Sequence, residues 1–216
     1  MGSFGSSIIA SEYRINSMIM LKIVLGFLTV TVAAGLSAQV STTEAVEVWC
    51  PSVLGVGIKT EVPFCDVEVQ RDPSLGVLVI LPPHRGDATL SFSLHNRHTY
   101  SEQEVRDGQA YAQYVASIAV ATMEGQIVAK GVVLGEFRAV GDLFDRVGGG
   151  AGPDEIKAIA PMGSERVFVT IPEGLEEVAI VGQSLDVVRP QSHDTFESVG
   201  RPVAVVSNAT VTYNPR

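Results

Sequence analysis

The chain is predicted to be all-β, a two-layer antiparallel β-sandwich, on three observations. Short segments rich in β-branched and aromatic residues recur from Glu44 to Tyr213, each bounded by Gly, Pro, Asp or Ser, the pattern of strands and turns. In several of them apolar and polar residues alternate, as at Leu90, Phe92 and Leu94 against Thr89, Ser91 and Ser93, the period of a strand with one buried face. No long helical pattern competes with them. An immunoglobulin-like arrangement is one form of such a sandwich, although its hallmark is not reproduced. Cys50 and Cys65 are too close in sequence to join two sheets in the usual way, and Trp49 adjoins Cys50 instead of lying midway. A β-barrel is the architectural alternative. An outer-membrane barrel is disfavoured because both faces of Val77–Leu81 are apolar.

In chain order, strands are expected at 44–50, 65–70, 76–81, 88–95, 110–123, 126–140, 166–171, 177–182, 184–189 and 202–213. Ser101 to Glu104 has the form of a capping box, which predicts a short helical turn ended by Gly108. Glu124-Gly125 predicts a hairpin turn between the two central strands. The polar run from His95 to Gln103 is read as a loop, with solvent-facing histidines.

Ahead of these strands, Ile23–Leu36 is an apolar run preceded by Lys22 and followed by Ser37 and Ala38, the order of a secretory leader. Residues 1–38 are therefore expected to be removed, with an uncleaved anchor as the alternative and Met18 or Met20 as a natural start. A spanning helix needs about 20 apolar residues, and this run is interrupted by Gly26, Thr29, Thr31 and Gly35. Residues 39–82 then form an N-terminal hairpin segment with the cysteines and 83–216 the main sandwich, together one domain. A secreted or periplasmic location follows.

Without the leader's Arg14, Lys22 and Glu12, the chain's 15 basic and 24 acidic residues fall by two and one, leaving a formal charge of −10 on 178 residues. That balance excludes duplex nucleic acid as the expected partner and disfavours an anionic membrane surface. Membrane association is expected only through an uncleaved leader. Cys50 and Cys65 are the only cysteines. Export and the absence of CxxC spacing point to a structural disulfide.

Four candidate sites stand out. His84, Asp87, His95, His98 and Glu102 are the best metal-ligand set, and converging them requires a turn at Asn96-Arg97, since residues three apart in a strand face opposite ways. No metal or other cofactor is favoured. Arg85-Gly86-Asp87 spells an integrin-binding tripeptide but is read as an ordinary turn. Asn208-Ala209-Thr210 is a glycosylation sequon inside an expected strand, so Asn208 is read as structural. The glycine-rich segment holding Asp145, Arg146, Gly148, Gly149, Gly150, Gly152 and Asp154 lacks the Lys-Ser/Thr of a phosphate loop and is read as a binding lip, with Asp145 and Arg146 among paired surface charges. No GxSxG is present. The function these features imply is a non-catalytic binding or assembly module whose partner is another protein or an envelope or extracellular ligand. The alternative is a small exported metal-dependent hydrolase built on the histidine and carboxylate set.

Overall fold

The computed structural model describes residues 41–147 and 157–216. Its strands are β1 (Thr42–Ala45), β2 (Glu47–Trp49), β3 (Val53–Val56), β4 (Pro63–Glu68), β5 (Val77–Ile80), β6 (His84–Ser101), β7 (Ala112–Ala121), β8 (Ile127–Phe137), β9 (Lys157–Ile171), β10 (Glu177–Arg189), β11 (Ser192–Phe196) and β12 (Pro202–Pro215). One short helix, α1 (Glu102–Arg106), interrupts them. It stops at Gly108, whose φ of +69° takes the chain out of the helix. Among the described residues no helix is long and apolar enough to cross a membrane.

The strands form two sheets of six among the described residues. Sheet A runs β3-β4-β12-β6-β9, with β1 sharing the β4 side of β12; sheet B runs β2-β5-β10-β7-β8, with β11 sharing the β5 side of β10. Every strand pair is antiparallel. This is a two-sheet, antiparallel structure of the β-sandwich type. Residues 41–80 supply five strands, divided between the sheets.

Between the sheets lies one large core, which includes Val67, Leu90, Phe92, Ile118, Val178 and Val203, each no more than 1% exposed. Burying side chains of this size is worth roughly 1.5–3 kcal/mol each relative to leaving them in water. A smaller cluster of Phe64, Val147 and Val205 lies apart from it. The pairing Asp66–Val205–His95 puts these residues on the outer face of sheet A, and Leu54, Val62 and Phe144 cover them.

The hairpin β7–β8 turns where expected, with Gly125 at φ +84° and its amide donating to Thr122 O at 2.9 Å. The expected loop at 95–101 is instead the second half of β6, which pairs with β9 as far as Ser101. The inward period set by Leu90, Phe92 and Leu94 continues through Asn96 and His98, both buried. Those two polar side chains are accepted because sheet B offers partners. Asn96 Nδ2 donates to the carbonyls of Tyr114 and Val133 at 3.5 Å, and His98 meets the Tyr114 hydroxyl and stacks on Phe137.

Each sheet has a break where two strands share one edge of a long neighbour. On β10, β5 ends at Ile180 and β11 begins opposite Leu185, with a bulge at Gly182–Ser184 between them. On β12, β4 reaches Val206 and β1 begins at Thr210, with a bulge at Ser207–Thr210. A bulge inserts one unpaired residue and bends its strand.

Candidate functional site

The metal-ligand residues do not converge. His95 turns to the outer face of sheet A, with Nδ1 2.7 Å from Gly163 O and Nε2 2.9 Å from Ser207 Oγ, and packs edge-on to Phe64 and tilted against Phe144. His98 turns to the interior. His84 is buried at the start of β6, with Nδ1 2.9 Å from Pro82 O. Asp87 is exposed, and Glu102 opens α1. The expectation of solvent-facing loop histidines is thus corrected for His84, His95 and His98, because the chain here is strand and places them in packed surroundings. The fourth, His193, is exposed and lies 3.5 Å from Asp186. Among the described residues no group of three or more His, Cys, Asp or Glu side chains could hold a metal. Burial lowers the pKa of His95, with the Gly163 carbonyl opposing, and burial together with the nearby Arg189 charge lowers that of His98 to about 4.

Of the glycine-rich segment, Gly148, Gly149, Gly150, Gly152 and Asp154 lie outside the described residues. Its first residue, Asp145, is not a surface charge but a buried anchor. It accepts from the Thr60 hydroxyl at 2.5 Å and from the amides of Thr60, Lys59 and Arg146 at 2.8, 3.1 and 2.6 Å. Burial by itself raises the pKa of this carboxyl. The four donors together outweigh that and hold it at about 2. They pin the β3–β4 turn to the chain at 145–147, where Gly57 also bridges to Val147. Arg146 is exposed, and Arg85 and Asp87 are exposed on either side of Gly86 at φ +63°; the ordinary turn expected here is instead part of β6, with a register irregularity opposite Thr212–Asn214.

The feature with capacity for a ligand lies at the break in sheet A. A cavity of about 420 Å³ runs from the bulge and from Ala45, Val48 and Val53 at the surface to Val79, Phe92 and Ile180 in the core. The chain builds it by crossing between sheets twice in a short span, since β1 pairs in sheet A, β2 in sheet B, and β3 and β4 in sheet A again. The Cys50–Cys65 disulfide, with Cα atoms 5.8 Å apart, ties the end of β2 to β4 and so fixes the cavity wall. The bridge joins the two sheets, contrary to the expectation from the close sequence spacing, because the chain passes from β1 in sheet A to β2 in sheet B before Cys50 is reached. At the rim, Asn208 is exposed and held at φ +51° by the bulge. Among the described strands β2 and β3 each end their sheets, and Trp49, Val53 and Val56 on them and Ile58 in the turn that follows are 51%, 72%, 57% and 69% exposed.

Sequence reasoning missed this site. Its signals were the apolar Val53–Val56, passed over as part of a cysteine loop, and the small polar Ser207-Asn208 inside an apolar strand.

No family model matches the chain, and no curated protein matches it. Among solved structures it is similar to the infectious bursal disease virus VP2 subviral particle, at 12% identity over 80% of this chain and 33% of that one, with a TM-score of 0.23. The chain thus spans about a third of that protein's length. What the strand pairing and the site define is a disulfide-tied antiparallel β-sandwich with an apolar cavity at one corner.

Proposed function

We propose that the protein is an exported, non-catalytic β-sandwich that binds or assembles with a partner protein through the corner formed by β2 and β3. One observation carries this reading: two terminal strands expose apolar side chains, Trp49 on β2 and Val53 and Val56 on β3, with Ile58 in the turn beyond, and Val53 stands in the wall of an apolar cavity. Terminal strands with apolar side chains are templates for pairing, and clustered exposed apolar residues rimmed by polar ones mark interaction sites. The Asp145 anchor holds the β3–β4 turn in one conformation, which limits the entropy lost when a partner docks.

The test is substitution of Val53, Val56 and Ile58 by Asp, followed by quantitative recovery of co-purifying envelope or extracellular proteins from the host. The substituted protein should keep its unfolding midpoint and lose a specific partner at least tenfold. Equal recovery by a folded variant would rule the corner out.

A further inference from the structure

We propose that the cavity at the break in sheet A is a binding site for a single aliphatic chain ending in an uncharged hydrogen-bonding group, such as a long-chain alcohol or a neutral monoacyl lipid. The inference rests on the reading of this corner as the binding region and assigns its ligand chemistry.

The first argument is the lining. Among the described residues no ionisable side chain contributes to it, and both cysteines in it are spent in the disulfide. Val79, Phe92 and Ile180 at the inner end are each at most 1% exposed, whereas Val48 and Val53 near the mouth are 37% and 72% exposed. The lining therefore grades from exposed apolar residues at the mouth to buried ones at the inner end, on a scale that suits a single chain and is too small for a folded partner. Its volume of about 420 Å³ falls in the usual range for small-molecule sites, roughly 300–1,000 Å³.

The second argument is the rim. The Ser207 hydroxyl is committed to His95 Nε2 at 2.9 Å. Arg166, whose guanidinium reaches the bulge, donates to Asn208 O at 2.7 Å, Ser91 Oγ at 2.7 Å and Thr210 Oγ1 at 2.9 Å. The strands leading to the mouth carry Glu44 and Glu47, and Glu44 accepts from Tyr213 at 2.9 Å. A carboxylate or phosphate head group would meet Glu44 and Glu47 on the strands leading to the mouth, while the donors of Arg166 are already engaged. The Asn208 side chain can both donate to and accept from a hydroxyl. The rim thus selects a neutral end group, and the lining selects the chain behind it.

Trp49, the only tryptophan, stands between the lining residues Val48 and Cys50 and reports occupancy. Titration with 11-bromoundecanol should quench its fluorescence saturably. Competing n-alcohols should gain about fourfold in affinity per methylene, the value expected for burying that group, until the chain outgrows the cavity and the gain stops. Decanoate should bind at least tenfold more weakly than decanol. Ala45→Phe at the exposed mouth should reduce affinity at least tenfold without moving the unfolding midpoint, and Val79→Phe should reduce affinity as much from the inner end while lowering the midpoint through overpacking. Asn208→Gly, which keeps the left-handed backbone, should narrow the preference for decanol over decane. Saturation by decanol alone identifies a free alcohol, and saturation by monodecanoylglycerol as well identifies a lipid-borne chain.

Non-saturable quenching, equal binding of decanoate and decanol, or indifference to both Phe substitutions would overturn the inference. If alkyl binding fails while partner capture still depends on Val53, Val56 and Ile58, the ligand assignment falls and the proposed function stands. If alkyl binding holds while capture is indifferent to those residues, the proposed function falls instead.

Discussion

The two sheets solve the same geometric problem in opposite ways. In both, a long strand carries a bulge where two shorter strands share its edge. In sheet B the bulge contains Gly182, and the end of β4 runs directly over it. A Cβ at Gly182 would come within 2.9 Å of the Glu68 backbone, and Val69 forms a bridge to Gly182. The absence of a side chain lets one backbone close on another, and the pocket of about 380 Å³ left outside is lined by Gln70, Arg71, Gln183 and Glu197 together with Val69, Ala119, Val181 and Gly182. In sheet A the bulge carries Ser207, Asn208 and Ala209, no strand among the described residues crosses it, and the cavity lining includes the core residues Val79, Phe92 and Ile180. A covalent bridge stands beside the open break and none beside the closed one. The difference teaches that a bulge by itself does not make a site; a backbone plug can close one, and without it among the described residues the break in sheet A is lined by apolar side chains that extend to the core.

Removing the staple gives the largest expected effect. Replacing Cys50 and Cys65 with Ala should cost about 2–5 kcal/mol in chemical unfolding, the usual range for a native bridge in a secreted domain. It should also raise hydrogen exchange in β2 and β3 well above that in β7 and β10.

Acid should come next. Burial lowers the pKa of His98 to about 4 and lowers that of His95 as well, so the unfolded chain binds protons that the folded one does not. Stability is then full above about pH 6.5, the unfolded value, and falls as the pH drops towards 4, by about 3 kcal/mol for His98. Asp66 works the other way, because burial raises its carboxyl despite Arg97 at 3.0 Å, so its contribution improves as pH falls. Asp145, held at about 2, loses its contribution only between about pH 4 and 2. Unfolding at pH 7, 5.5 and 4.5, with His98→Gln as a control that flattens the profile, checks the sign.

Side chains added at the two breaks separate them directly. Gly182→Ala should cost about 1–3 kcal/mol by overpacking against Glu68 and Val203. Ala209→Val, facing the cavity, should cost under about 1 kcal/mol. Equal costs in thermal unfolding would mean that the breaks do not differ. Smallest of all, Asn208→Gly should shift stability by no more than about 0.5 kcal/mol, since the position already has positive φ.

The strands with clean alternation were legible because their pattern is local. Leu90, Phe92 and Leu94 announce an inward face, and Gly125 announces a turn. The disulfide was legible from the cysteine count and the secretory reading. The second half of β6 was not, because Asn96 and His98 occupy core positions only by virtue of Tyr114, Val133 and Phe137 on the opposite sheet, and nothing near them in sequence announces those partners. The cavity was invisible for a related reason. Its walls come from strands separated by most of the chain, and its opening depends on where β4 stops and β1 begins along β12, a matter of register that local composition does not encode. Asp145 was misread because an acidic residue beside glycines looks solvated, while its four donors lie on or beside a turn far away in sequence, at Lys59 and Thr60, and on its neighbour Arg146.

The contrast between the open and the closed break is tested most directly by a crystal structure of the protein under xenon pressure, since xenon enters apolar cavities of this kind. The account predicts a xenon site among Val79, Phe92 and Ile180 and none against Gly182. Absence of xenon from the first position, or its presence between Gly182 and Glu68, would contradict it.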